Sequence, residues 1–144
     1  MFKNSFCGYL LYIIYTIMIT PLISVIIPTY NRKDKCRRAV ESVINQKFKN
    51  FEIIVIDDCS TDGTCAEYLY GNSIGQTCRY YRRNINSGVS KARNYGIFQS
   101  KGKWIAFLDS DDEWLPDKLE KQIQWVYENP SYHIVQTREI WIRN

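Results

Sequence analysis

The apolar positions of this chain fall into short runs that alternate between two periods. Residues 22–27 (Leu22-Ile23-Ser24-Val25-Ile26-Ile27) form a β-branched run closed by Pro28, the pattern of a buried strand in a parallel sheet. Residues 34–46 then place Cys36, Val40, Val43 and Ile44 at helical spacing, with Arg37, Arg38 and Glu41 on the other face. A second strand is expected at residues 51–56, ending at Asp57-Asp58. Ser60-Thr61-Asp62-Gly63-Thr64 reads as a turn into a short helix through Tyr70, with Ser and Asp as capping residues. After a loop at residues 71–76, residues 79–82 carry a fainter strand signal. Residues 88–100 predict a helix that buries Val89, Ala92, Gly96 and Ile97 and stops before Gly102. Residues 104–108 give another buried strand that ends in acids. Pro116 marks the start of a helix with Leu119, Ile123, Val126 and Tyr127 on one stripe, ended by Asn129-Pro130. A last strand is expected through Ile134-Val135.

This β-α-β-α-β-α-β-α-β order predicts an α/β fold, a mostly parallel sheet with helices on both faces. Residues 21–144 contain no internal repeat, low-complexity tract or flexible linker, so they read as one domain or part of one. Residues 1–20 stand apart. Their core, residues 6–19, is almost wholly apolar and follows Lys3. Three readings stay open for it: a signal-like segment, a membrane-associating segment, or sequence upstream of a true start at Met18.

Composition changes this picture little. Of the 144 residues, 45% are hydrophobic and 24% charged, as in ordinary globular proteins. The net charge of +4 suits an anionic ligand, but no run of basic residues argues for nucleic acid. The five cysteines include no Cys-x-x-Cys pair, which argues against zinc, and their odd count and irregular spacing argue against a disulfide framework. Reduced thiols in a cytosolic protein are the expectation. His133, the only histidine, reads as structural.

Candidate chemistry gathers where open α/β sheets bind ligands, at the carboxyl ends of the strands. The first strand leads to Pro28-Thr29-Tyr30-Asn31, the second to Asp57-Asp58, and the fourth to Asp109-Ser110-Asp111-Asp112. Acids concentrated in one crevice of a basic protein suggest a bound cation, since like carboxylates repel unless something offsets them. Carboxylate oxygens without nearby histidine or cysteine pairs select Mg2+ or Mn2+, which can hold substrate phosphates in their open positions. Arg82, Arg83, Lys91 and Arg93 are basic partners for the same phosphates. Each feature alone has a plainer reading. Asp57-Asp58 suits a turn with a helix cap, residues 109–113 a solvated acidic loop, Tyr30 a loop aromatic and Arg93 a surface charge. Only their joint placement at three strand ends carries the functional reading.

Four stretches, SVIIPTYNR, VIDDCSTDGT, NSGVSKARNYGI and WIAFLDSDDEWLPDKL, resemble in order and spacing the family 2 glycosyltransferases. The resemblance covers residues 22–129. It implies the Rossmann-like GT-A nucleotide-diphospho-sugar transferase fold and transfer of a sugar from a nucleoside diphosphate sugar, UDP-linked, to a saccharide or lipid-linked acceptor hydroxyl. By the same resemblance, Pro28 and Tyr30 line the base pocket and Asp58 hydrogen-bonds the base, while Asp57 supports the turn. Asn86 and Arg93 contact ribose and diphosphate. Asp111 is the direct ligand of Mn2+ or Mg2+, and Asp109 contacts ribose or metal. Polysaccharide or glycoconjugate synthesis is the implied setting, in the cytoplasm at the inner face of the membrane. Cys59 stands where the family often has glycine, a change expected to cost little. The family continues into a region that shapes the acceptor site and supplies an acidic base. Glu139 lacks that acidic motif, so the base is unassigned and the chain reads as incomplete at its C-terminus.

A second hypothesis is a non-catalytic nucleotide-sugar-binding fragment or partner subunit without the acceptor half. An aspartyl phosphotransferase built on Asp109-Ser110-Asp111 leaves the first two strand ends unexplained. No Gly-x-Gly-x-x-Gly follows the first strand, which disfavours dinucleotide binding.

Overall fold

The computed structural model describes residues 20–64 and 78–137. Within them run β1 (Ile23–Thr29), α1 (Lys33–Ile44), β2 (Phe51–Asp57), β3 (Cys78–Arg82), α2 (Val89–Gln99), β4 (Trp104–Phe107) and α3 (Lys118–Glu128). The strands form one four-stranded sheet in the order β3-β2-β1-β4, and every neighbouring pair is parallel. All strands therefore end at the same edge, which brings their C-terminal residues together.

β1 and β2 are buried at every position because they are the two central strands. Successive side chains of a strand point to opposite faces. Ile23, Val25 and Ile27 with Phe51, Ile53 and Val55 pack against Cys36, Ala39, Val40 and Val43 of α1 and Leu119 and Ile123 of α3. Ile26, Ile54 and Ile56 pack against Ala92 of α2. Helices thus cover both faces, as the alternating pattern predicts. α2 lies unusually close: a Cβ at Gly96 would sit 2.5 Å from Ile26 Cγ2, so only glycine fits there.

Pro28 sits inside a central strand, where its missing N–H would ordinarily break a ladder. The Ile26 carbonyl accepts from Leu108 N–H on the β4 side. Two residues further, Pro28 faces that same side, beyond the last register pair Ile26↔Phe107. No ladder bond is lost.

Several expectations fail for identifiable reasons. Residues 134–135 are not a strand, and Ile134 is exposed. Two apolar residues between His133 and Gln136 are too short a run to add a strand without a partner. β4 is the edge of the described sheet rather than a buried strand, and Ile105 and Phe107 are exposed on it. Val89 and Ile97 are also exposed, because α2 meets the sheet through its small residues Ala92 and Gly96. Tyr127 lies outside the buried stripe of α3, which consists of Leu119, Ile123 and Val126. Cys36 is disulfide-bonded, against the expectation of reduced thiols throughout, whereas Cys59 and Cys78 are free. Burial pushes the Cys78 thiol up to about 12. The helix expected through Tyr70, the apolar segment 6–19 and Glu139 fall outside the described residues. Among the described residues, no helix is long and apolar enough to cross a membrane.

One buried polar network has no counterpart in the hydrophobic pattern. Ser24 and Glu52 occupy the same register position on β1 and β2, and Ser24 Oγ donates to Glu52 Oε1 at 2.6 Å. Arg79 Nη2 donates to Glu52 Oε2 at 2.7 Å and to the Gln99 carbonyl at 2.5 Å. The Lys101 and Gly102 amides complete the set by donating to Glu52 Oε1 and Ser24 Oγ, both at 2.8 Å. A buried carboxylate that is paired and hydrogen-bonded in this way avoids the cost of isolation. It pins the turn from α2 into β4.

Candidate functional site at the strand ends

The crevice is framed by the residues that follow β1, β2, β3 and β4. Its first wall is a pair of interlocked turns. Asn31 holds left-handed backbone at φ 49°, donates its N–H to Ser60 Oγ at 2.8 Å and accepts from Thr61 N–H through Oδ1 at 2.8 Å. Arg32 N–H donates to Thr64 Oγ1 at 3.2 Å and Lys33 N–H to Asp62 Oδ2 at 3.1 Å. These are the orphan amides at the start of α1, whose own N-cap, Arg32, offers no side-chain bond. Asp62 and Thr64 therefore cap α1 from the neighbouring turn. Burial pushes the Asp62 carboxyl up, but bonds from the Thr64 side chain and the Lys33 backbone outweigh it and hold it below the usual aspartate value.

The acids after β2 are turned inward. Asp57 is buried; its Oδ1 accepts from Ser60 N–H at 2.8 Å and its Oδ2 accepts from the Tyr80 hydroxyl. It supports the turn. Asp58 is also buried. Its Oδ1 accepts from Arg83 Nη1 at 3.1 Å and Ser87 Oγ at 3.4 Å, and its Oδ2 from Ser87 N–H at 2.9 Å and Gly88 N–H at 2.7 Å. Those four bonds fill the acceptor positions of a carboxylate. They tie the loop carrying Asn86 to the end of β2, and they fix Gly88 at φ 91° before α2.

The acids after β4 are turned outward. Asp109 and Asp111 are exposed and Ser110 between them is buried. Asp109 Oδ1 accepts from Arg93 Nη2 at 2.5 Å. Asp111 Oδ1 pairs with Arg32 Nη1 at 2.7 Å. Exposed pairs of this kind contribute about 0.2–1 kcal/mol each, so ligands can exchange them at little cost. The acidic loop itself is anchored from behind. Gln46, fully buried, donates to the Leu115 carbonyl at 2.7 Å and accepts from Leu119 N–H at 3.0 Å, while Ser42 Oγ accepts from Trp114 N–H at 3.1 Å.

The sequence-predicted residues thus divide. Asp109 and Arg93 are brought into contact, and Asp58 is joined to the loop of Asn86, itself exposed. Tyr30 is exposed at the end of β1, whereas Pro28 is buried inside the strand. Arg83 is committed to Asp58, and Arg82 Nη2 to the Ser60 carbonyl at 2.9 Å. Lys91 is exposed. Arg32, which the sequence reading passed over, sits directly on Asp111; a cation next to Asn31 at a strand end was the available signal. Among the described residues, no three His, Cys, Asp or Glu side chains converge on a metal position. The donor set still suits a hard divalent cation that takes most of its ligands from phosphates: two accessible carboxylates flanking one serine. Arg93 Nε is buried and has no hydrogen-bond partner among the described residues.

The pattern that defines Glycosyl transferase family 2 matches residues 24–143. A Bacillus subtilis (strain 168) protein named for teichuronic acid biosynthesis, the glycosyltransferase TuaG, is 43% identical over 108 residues, which are 75% of this chain and 43% of that relative. Residues 1–349 of S. aureus TarS, solved in complex with UDP-GlcNAc, superpose with a TM-score of 0.67 at 32% identity, over 75% of this chain and 32% of that one. The mannosyltransferase PcManGT from Pyrobaculum calidifontis, solved with GDP-Man and Mn2+, superposes with a TM-score of 0.68 at 22% identity, over 84% of this chain and 40% of that one. That likeness shows a shared GT-A fold. The chain spans under half the length of each of these proteins.

Proposed function

The chain belongs to the family 2 glycosyl transferases, and from that premise we propose that its strand-end crevice binds a UDP-linked sugar with a divalent cation, Mn2+ or Mg2+. The observation that carries this reading is the outward pair Asp109 and Asp111, each held by an arginine, beside an exposed Tyr30. Tyr30 packs on the base. Asp58 borders it; of its four bonds the longest, to Ser87 Oγ at 3.4 Å, is the one a uracil N–H replaces. Asn86 contacts the ribose, and Arg93, whose guanidinium end pairs with Asp109, takes a phosphate oxygen. Asp111 ligates the cation and Asp109 contacts cation or ribose. A bound cation supplies charge stabilisation to the departing diphosphate.

The reaction proposed for the protein in which this domain works is transfer to an acceptor hydroxyl, in polysaccharide or glycoconjugate synthesis. The acceptor oxygen bonds to the anomeric carbon as the bond from that carbon to the diphosphate oxygen breaks. The electron pair leaves with the nucleoside diphosphate, and the hydroxyl proton passes to a base that no described residue is assigned to be. TarS was solved with UDP-GlcNAc, which supports the choice of a uridine donor. Calorimetry of UDP against the 144-residue chain tests the proposal. Binding is expected with Mn2+ and should weaken at least about tenfold, or ~1.4 kcal/mol, without it or in Asp111→Ala. No binding, or binding indifferent to Asp111→Ala, contradicts it.

A second reading, donor binding without transfer, is favoured by the lack of an assigned base among the described residues. Incubation of the chain with a radiolabelled UDP-sugar separates the two: bound but intact donor selects the second reading, and released sugar or UDP selects the first.

A further inference from the structure

Diphosphate recognition in α/β proteins commonly falls to backbone amides at helix N-termini. Here five of the amides that lead into α1 and α2 are already taken. Those of Asn31, Arg32 and Lys33 before α1 donate to Ser60, Thr64 and Asp62. Those of Ser87 and Gly88 before α2 donate to Asp58. Arginine side chains are the other anion donors of the crevice. Arg83 is half-buried against Asp58 and Arg82 is bonded to the Ser60 carbonyl. Arg32 and Arg93 are instead held by the outward carboxylates.

We infer that Arg32 is a diphosphate-binding residue of this crevice, held ready by Asp111 and exchanging that carboxylate for a phosphate oxygen when a divalent cation takes Asp111. The inference rests on the donor-binding reading above and adds a residue to it. Its basis is geometric. The pair is a single contact of 2.7 Å between side chains that are 45% and 37% exposed, so neither partner is locked by packing. Arg32 carries the planar fork that matches phosphate oxygens, and it stands between the Tyr30 end of β1 and the start of α1. A cation that takes Asp111 draws charge from the carboxylate that holds Arg32 and competes with the guanidinium for Oδ1. The loosened guanidinium then favours an anion beside the cation. Cation and diphosphate consequently strengthen each other's binding through this one side chain, and the coupling is reciprocal. Without Arg32, Asp111 is open to the cation from the start and the diphosphate loses a partner. The two affinities should move in opposite directions, which loss of folding would not produce.

Titration of the wild-type chain, Arg32→Gln and Arg32→Lys with Mn2+ alone, followed by electron paramagnetic resonance, and with UDP at saturating Mn2+ tests this. Arg32→Gln is expected to bind Mn2+ alone about threefold or more tightly and UDP about tenfold more weakly, a coupling within the ordinary allosteric range. Arg32→Lys, which keeps the charge without the fork, should lie between wild type and Arg32→Gln for both ligands. Unchanged or weaker Mn2+ binding in Arg32→Gln, or unchanged UDP binding, overturns the inference. If Arg32→Gln melts below the assay temperature, Arg32→Lys decides by the same two directions. A wild-type chain that binds no UDP with Mn2+ overturns the donor-binding reading itself, whereas wild-type binding of both ligands with unmoved constants in the variants overturns only the role of Arg32.

Discussion

Cys59 and Asn31 hold left-handed backbone on neighbouring turns at the crevice, at φ 72° and φ 49°. Asparagine tolerates that region through local hydrogen bonds, and Asn31 makes them with Ser60 and Thr61. Cysteine does not. The only described bond of its side chain is a weak one, from Sγ to the Asn84 carbonyl at 3.4 Å. The expectation that cysteine costs little here is therefore corrected by the backbone, since a side chain with a Cβ in this region costs about 1 kcal/mol or more. Cys59→Gly is expected to stabilise the chain by about 1 kcal/mol, raising the melting temperature by roughly 3–6 °C. Differential scanning calorimetry checks this, and a lower melting temperature would show that the sulfur contact outweighs the strain. The same scale explains what the sequence hid. Asp57-Asp58 and Asp109-Asp111 look alike as letters, but the first pair is buried under backbone amides and a tyrosine hydroxyl while the second faces out to two arginines. Residue type alone does not distinguish an acid turned into the protein from one turned outward.

Elements were legible where burial sets the period. β1 and β2 lie where their unbroken β-branched runs place them, because both faces of each strand are covered. α1 and α3 follow their stripes, with Cys36, Val40 and Val43 and then Leu119, Ile123 and Val126 inside. The failures come from contacts distant in sequence. The edge position of β4 depends on which strand pairs beside it, and the exposure of Val89 and Ile97 depends on how closely Gly96 lets α2 approach Ile26. Asp62 and Thr64 carry the chemistry of helix caps, and they accept the Lys33 and Arg32 amides at the start of α1, which precedes them in the chain. This cross-capping has a pH signature. The Asp62 carboxyl is held below its usual value in the folded chain. Its contribution is thus present above the unfolded value of about 3.9 and is lost as pH falls through the lower folded value. Asp62→Ala should cost about 1 kcal/mol at pH 7, as loss of a cap does, and the gap to wild type should close as the pH drops below ~3.9. Chemical denaturation between pH 7 and 3 reads this; a constant gap would remove Asp62 from the cap.

At the scale of the molecule, the chain carries a net charge of +4 yet concentrates acids at one edge of its sheet. The parallel topology produces that concentration, since every strand delivers its C-terminal residues to the same side. Arg32 and Arg93 offset the outward acids in the absence of ligand, and the same arginines suit an anionic donor once a cation has taken their place. The central claim is that this edge, and no other part of the surface, binds a divalent cation together with a nucleoside diphosphate. Paramagnetic broadening of backbone amide resonances by substoichiometric Mn2+, recorded with and without UDP, tests it most directly. Broadening is expected to be centred on residues 30–32, 58–61, 93 and 109–112, intensified when UDP is added and lost in Asp111→Ala. Broadening centred on other surface carboxylates, such as Glu120 or Glu128 on α3, or a pattern unchanged by UDP, would contradict it.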